Sequence, residues 1–130
     1  MSAEALAIVR RFSRALSDRD LTKVESLLHP DLVVHTAGGL PYSGDYYGPQ
    51  GFFELFAAMT QAMDLTPGSL RQQSLDEQTV VSRFRLRFVA RASGKSAEMD
   101  LVEIYRLSDG LIVELDAYYK DSSAVANVLA

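Results

Sequence analysis

No cysteine occurs among the 130 residues, which removes disulfide cross-links, thiolate nucleophiles and sulfur-ligated metals from consideration. Positive charge is also short. Thirteen basic against 17 acidic side chains leave a net −4 at neutral pH, the wrong sign for a protein that neutralises nucleic-acid phosphates. No window approaches the ~20 apolar residues needed to span a bilayer, so no membrane partner is expected. The opening Met1-Ser2-Ala3-Glu4 has no basic leader before an apolar run, so no export signal is read and the cytoplasm is the expected location. G-x-G-x-x-G, the P-loop and G-x-S-x-G are all missing, which leaves nucleotide binding and serine-hydrolase chemistry without support. His29, Asp31 and His35 match no metal-ligand spacing, so no metal or other cofactor is expected.

What is present is apolar. Hydrophobic residues make up 48% of the chain and charged residues 23%, a balance that supports a sizeable core in one domain over residues 1–130. Between Ala3 and Ser17 the apolar positions Ala5, Ile8, Val9, Phe12, Ala15 and Leu16 recur at spacings of three and four, which predicts an amphipathic helix. Asp20 is a candidate N-cap for a second, short helix with Leu21, Val24, Leu27 and Leu28 inward, ended by His29-Pro30. Asp31 to Thr36 predicts a strand, and Gly38-Gly39 with Pro41-Tyr42-Ser43-Gly44 predicts turn and edge structure. Gly48-Pro49 opens a third helix whose apolar face uses Phe52, Phe53, Phe56 and Met59, and Thr66-Pro67-Gly68 closes that region.

Beyond it the period changes to two. Strands are predicted near 69–75, 78–91, 96–107 and 111–120, separated by DEQ, SGK and SDG turns, with a short helix from Ala124 to Leu129. Helices gathered on one side of an antiparallel sheet make an α+β fold.

Alternation assigns the faces. Val80, Ser82, Phe84, Leu86, Phe88 and Ala90 point inward, and Arg83, Arg85, Arg87 and Arg91 outward. On the next strand Met99, Leu101, Glu103, Tyr105 and Leu107 are inner, while Glu98 and Asp100 can meet the outer arginines. Val81, Val89, Val102 and Ile104 interrupt that charged face and make it a candidate for a sheet-to-sheet homodimer. The last strand offers Leu111, Val113, Leu115, Ala117 and Tyr119 inward, and Ile112, Glu114, Asp116 and Tyr118 outward. An inward alanine leaves space, which a pocket needs and a packed core avoids.

Glu103 is the anomaly. A carboxyl among apolar neighbours either finds a partner or has its pKa raised, because burial disfavours charge. It is then a general acid or base, or a satisfied buried glutamate bonded to a tyrosine or histidine. His35 is the other titratable candidate, but alternation can equally place Val34 and Thr36 as the inner pair. Phe12, Phe56 and Phe84 read as apolar wall or core, while Tyr42, Tyr105 and Tyr119 carry hydroxyls that need partners if they line a cavity.

The runs VRRFSRALSDRDLTKVESLLHPDLVVH (Val9–His35), YSGDYYGPQGFFELF (Tyr42–Phe56), YRLSDGLIVEL (Tyr105–Leu115) and YYKDSSAVANVL (Tyr118–Leu129) resemble the SnoaL-like group. That group belongs to the nuclear transport factor 2 / ketosteroid isomerase superfamily. The resemblance implies a cone in which N-terminal helices and a strongly curved, mainly antiparallel sheet enclose a pocket. It also implies a range of chemistry: isomerases, polyketide cyclases, dehydratases, epoxide hydrolases and non-catalytic binders. Phe12 stands where ketosteroid isomerases place an oxyanion-binding tyrosine, and Thr36 where they place the general-base aspartate. Glu103 matches their second oxyanion donor, a position that holds a histidine in SnoaL-type cyclases. Ala117 replaces those cyclases' catalytic aspartate, next to Asp116.

The resulting expectation is a cofactor-free proton-transfer enzyme of isomerase, cyclase or dehydratase type, acting on a small hydrophobic carbonyl compound. Glu103 and His35 would be catalytic; Phe12, Thr36, Tyr42, Phe56, Phe84, Tyr105, Leu115, Ala117 and Tyr119 would contact substrate. A non-catalytic small-molecule binder and a protein-interaction module are the alternatives.

Overall fold

The computed structural model describes residues 2–130. Helix α1 (Ser2–Ser17) buries Ala5, Ile8, Val9, Phe12 and Ala15, the stripe its spacing predicts. Helix α2 (Leu21–Ser26) starts where the Asp20 carboxylate accepts the backbone N–H of Lys23 at 3.2 Å. Val24 is buried, but Leu21 remains 42% exposed and does not belong to the inward set.

The chain then enters strand β1 (Leu28–His35) directly, so His29-Pro30 lies inside a strand rather than at a helix end. Pro30 has no N–H to give a ladder, and the register accordingly shifts between Leu28 and Val33. A short β2 (Asp45–Tyr47) pairs antiparallel with β1. Helix α3 (Gly48–Ala62) has proline in its first turn and packs closely there, since a Cβ on Gly51 would come within 3.0 Å of the Tyr46 backbone.

Strand β3 (Met63–Asp76) follows without a break. Thr66-Pro67-Gly68 therefore does not close the region but runs within the strand. A proline is tolerated there because β3 is an edge, paired only with β4 (Thr79–Ala90). Strands β5 (Ser96–Ser108) and β6 (Leu111–Tyr119) complete the sheet. Helix α4 (Ser122–Leu129) is capped by Asp121, which accepts the N–H of Ala124. No helix among the described residues is long and apolar enough to cross a membrane.

The sheet order is β2-β1-β6-β5-β4-β3, antiparallel except for the β1–β6 pair. It is mixed and curled without closing, and α1 and α3 lie against its concave side. The inner rows of β4 and β5 match their alternation: Val80, Leu86, Phe88, Met99, Leu101, Tyr105 and Leu107 are all buried.

On β6 the alternation breaks. Arg106 pairs with Glu114 but Leu107 pairs with Ile112, which leaves Val113 as the extra residue of a bulge. Ile112 is consequently turned inward and fully buried, whereas Leu111 and Val113 are only half-buried. Beyond the bulge Leu115, Ala117 and Tyr119 face the concave side, as predicted. On the convex side Arg85 Nε reaches Glu98 at 2.7 Å, and Arg83 reaches Asp100 at 3.0 Å.

Candidate functional site

Between α1, α3 and the concave face lies a cavity of about 500 Å³, within the range of small-molecule sites. Phe12 and Leu16 from α1, Phe52, Phe56 and Met59 from α3, and Phe84, Leu86, Leu101 and Leu115 from the sheet form its apolar wall. Phe12 meets Phe52 and Tyr105 edge-on at 5.6 and 5.8 Å, a geometry that fixes all three rings. At protein-like packing density the space holds about 20 non-hydrogen atoms, a molecule of two or three rings.

Glu103 is the sole carboxyl among the described residues of this wall. Its Oε1 accepts a hydrogen bond from the Tyr105 hydroxyl at 2.7 Å. Burial pushes the carboxyl above the usual carboxylate range, and the donation from Tyr105 only partly offsets that. The same burial, with the adjacent carboxylate, keeps the Tyr105 hydroxyl protonated far into the alkaline range. Ala117 sits opposite Glu103 on β6 and leaves the space beside the carboxyl open. A second tyrosine pair, Tyr42 and Tyr119, shares a hydroxyl–hydroxyl contact at 2.9 Å, and both hydroxyls are raised chiefly by burial.

Ser13, Ser82 and Arg19 add further polar groups to the lining. The Gln72 amide nitrogen donates to Ser13 Oγ at 2.8 Å and to Ser82 Oγ at 2.9 Å. Arg19 is the sole cation of the lining among the described residues, its guanidinium 4.9 Å from the Phe56 ring centroid. It adopts a left-handed backbone (φ 57°) just after α1 and makes no ion pair among the described residues. No three His, Asp or Glu side chains among the described residues converge to hold a metal.

A family profile, the SnoaL-like domain, matches residues 9–115. The chain belongs to the SnoaL-like family. Solved structures show the same fold at low identity. An NTF2-like protein from Burkholderia xenovorans LB400 superposes with a TM-score of 0.90 at 16% identity, covering 98% of this chain and 97% of that one. A candidate polyketide cyclase from Xanthomonas campestris pv. campestris gives 0.84 at 14%, covering 98% of both. TerC, co-crystallised with polyporic acid, gives 0.77 at 20%, covering 97% and 98%. No curated protein matches the sequence.

In this SnoaL-like chain Phe12, Thr36, Tyr42, Phe56, Phe84, Glu103, Tyr105, Leu115, Ala117 and Tyr119 all lie on the cavity wall. His35 does not. Val34 and Thr36 take the inner positions, and alternation turns the imidazole to the other side. There Nδ1 meets Asp45 at 2.8 Å and Nε2 meets Glu114 at 3.0 Å, tying β1 to both of its neighbours. Residues overlooked in the pattern are Ser13, Arg19 and Gln72. Ser13 is one position beyond Phe12 in the buried stripe, and Gln72 shares the inner register of Ser82; Arg19 carries no pattern signal at all.

The His35 cluster has a measurable consequence. The hydrogen bond to Asp45, then that to Glu114, raise the imidazole above its ordinary 6.5 against an opposing desolvation. Its stabilisation is therefore full below about pH 6.5 and is lost as pH rises through the higher folded value. With the group one-third exposed, screening limits the effect to less than about 1 kcal/mol. Thermal melts of wild type and His35→Gln should differ most near pH 5.5–6 and converge in mildly alkaline buffer. A gap that widens with pH would contradict the assignment.

Proposed function

We propose that this protein is a cofactor-free proton-transfer enzyme acting on a small, mostly apolar cyclic carbonyl compound. The observation that carries the reading is Glu103: a lone carboxyl on an apolar cavity wall, raised by burial and anchored at one oxygen by Tyr105. Such a group changes its protonation state at a higher pH than an ordinary carboxyl and can act as a general acid or base. Likeness in fold to a candidate polyketide cyclase and to TerC is consistent with this chemistry.

The ionised carboxylate takes a proton from the carbon next to the substrate carbonyl. The C–H electron pair moves into the carbon–carbon bond, and the carbonyl π pair moves to oxygen as an enolate. One residue suffices, because the protonated Glu103 returns a proton, which can exchange with solvent while the carboxyl holds it. Return to another carbon gives isomerisation; return to a departing hydroxyl gives dehydration. Attack of the enolate on a second carbonyl gives cyclisation, with the proton going to the new alkoxide. A sheet-to-sheet homodimer, across the charged face that Val81, Val89, Val102 and Ile104 interrupt, is part of this reading.

The test needs no native substrate. β-Tetralone in heavy water, followed by proton NMR, should exchange its benzylic α-protons faster with wild-type protein than with buffer or heat-denatured protein. The rate should rise with pH through a midpoint above the ordinary carboxylate value. Absence of exchange across a panel of two- and three-ring ketones would overturn enzyme chemistry. One second reading, the carrier, has the support of the family resemblance, which puts Phe12 and Thr36 where isomerases keep an oxyanion-binding tyrosine and a general-base aspartate. Ketone binding without exchange is its signature.

A further inference from the structure

Three inner-facing polar residues cross the concave wall in a row. Gln72 of β3 is the register partner of Ser82 of β4, and Ser82 is the partner of Glu103 of β5. Ser82 is only 1% exposed, so its hydroxyl needs a hydrogen-bond partner. Gln72 meets that need and also bridges to helix α1, donating to both Ser82 Oγ and Ser13 Oγ. An amide nitrogen carries two hydrogens, so both are spent on the serines.

Each serine oxygen thus acts as an acceptor toward Gln72, and its own O–H is the donor that remains. Neither serine hydroxyl has a protein acceptor among the described residues. Both line the cavity. No hydrogen bond joins Ser82 to Glu103 among the described residues; the one that Glu103 accepts, at Oε1, comes from Tyr105.

We infer that Ser13 and Ser82, oriented by Gln72, form a carbonyl-oxygen subsite beside Glu103. Opposed side chains on neighbouring strands stand about 5 Å apart at Cβ. A carbonyl oxygen held by the two hydroxyls therefore lays its adjacent carbon toward the Glu103 carboxyl. The ligand class is a cyclic ketone, with its oxygen on the serine side and its ring body against Phe84 and Phe56. Neutral donors aimed at this oxygen strengthen as an enolate forms on it. The chemistry of that step rests on the proton-transfer reading above; the binding of a ketone oxygen does not.

The experiment compares dissociation constants for β-tetralone and for tetralin, which has the same rings without the oxygen. Wild type should prefer the ketone. Ser13→Ala and Ser82→Ala should each weaken ketone binding about three- to tenfold, the range of one neutral hydrogen bond, and leave tetralin unchanged. In the double variant the preference should vanish. Gln72→Met keeps the shape but not the donor, and as a positioning change it should also shrink the ratio. Ser82→Thr retains the hydroxyl and should restore it, which separates the subsite from a merely structural bridge.

An undiminished ratio in a folded Ser13→Ala/Ser82→Ala protein would overturn the subsite, as would a wild type that does not distinguish the two probes. Should the double variant not fold, the single variants and Gln72→Met decide by the same ratio. The two failures are distinguishable. Wild-type exchange with an unmoved ratio removes the subsite alone, whereas a serine-dependent ratio without exchange removes the enzyme and keeps the subsite.

Discussion

Glu103→Gln should reduce exchange of ketone α-protons by about 10²- to 10⁴-fold, the usual contribution of a positioned acid–base group, and should at the same time raise the melting temperature at neutral pH. The first half follows from the amide being too weak a base to take a proton from carbon and too weak an acid to return one. It can still accept from Tyr105, so the cavity wall keeps its shape and ketone affinity should change little. The second half follows from linkage. Burial raises the folded carboxyl above its unfolded value of about 4.5, so between those two values the folded state binds more protons than the unfolded state. Stability therefore falls as pH rises through that window, and above it the buried charge is a standing cost.

Glutamine removes that cost. The melting temperatures of variant and wild type should lie close together near pH 4 and separate at higher pH. The gain should be read as a higher melting temperature of the variant at neutral pH. Loss of chemistry with gain of stability would mark Glu103 as retained for function rather than for folding. Full exchange in the variant would sink its role.

Glu103 was legible because period-two alternation needs no knowledge of which strands pair. Its neighbours Leu101 and Tyr105 point the same way whatever the topology, and the antiparallel β4–β5 ladder leaves that pattern undisturbed. His35 was not legible for the complementary reason. The side it faces is decided by a parallel pairing with β6 and by β2, both remote in sequence or too short to announce themselves. Ile112 was misplaced because a bulge at Val113 shifts the phase, and a bulge in an apolar run leaves no residue signature. Pro67 suggested a stop, yet an edge strand tolerates it.

The serine row shows a further limit. Ser13 and Gln72 are separated by 59 positions and meet only when α1 docks on the sheet. No local pattern contains that contact. Arg19 is similar: it acquires a place at the cavity by following α1 in a left-handed turn over Phe56. Alternation and helical spacing thus delivered the wall, while the polar groups that would orient a ligand on it depend on tertiary docking.

Ala117 offers the second large effect. It faces the cavity from β6, opposite Glu103, where a bulkier side chain would fill the space beside the carboxyl. Ala117→Leu places an isobutyl group there. Since that volume is cavity rather than packed core, the substitution adds apolar contact rather than overpacking, and the melting temperature should hold or rise. A ring can then no longer lie against the Glu103 carboxyl, so α-proton exchange should fall at least about 100-fold, while the rest of the cavity still admits a two-ring ketone and affinity falls less.

Asp116, one residue earlier, supplies the internal control. It faces the convex side, where its carboxylate accepts from the Tyr118 hydroxyl at 2.8 Å. Asp116→Asn should leave ketone affinity and exchange unchanged. Opposite outcomes at adjacent positions can arise only if the reacting molecule occupies the concave side of β6. Equal exchange in Ala117→Leu and wild type would instead place the reacting ketone elsewhere, and with it the chemistry assigned to Glu103.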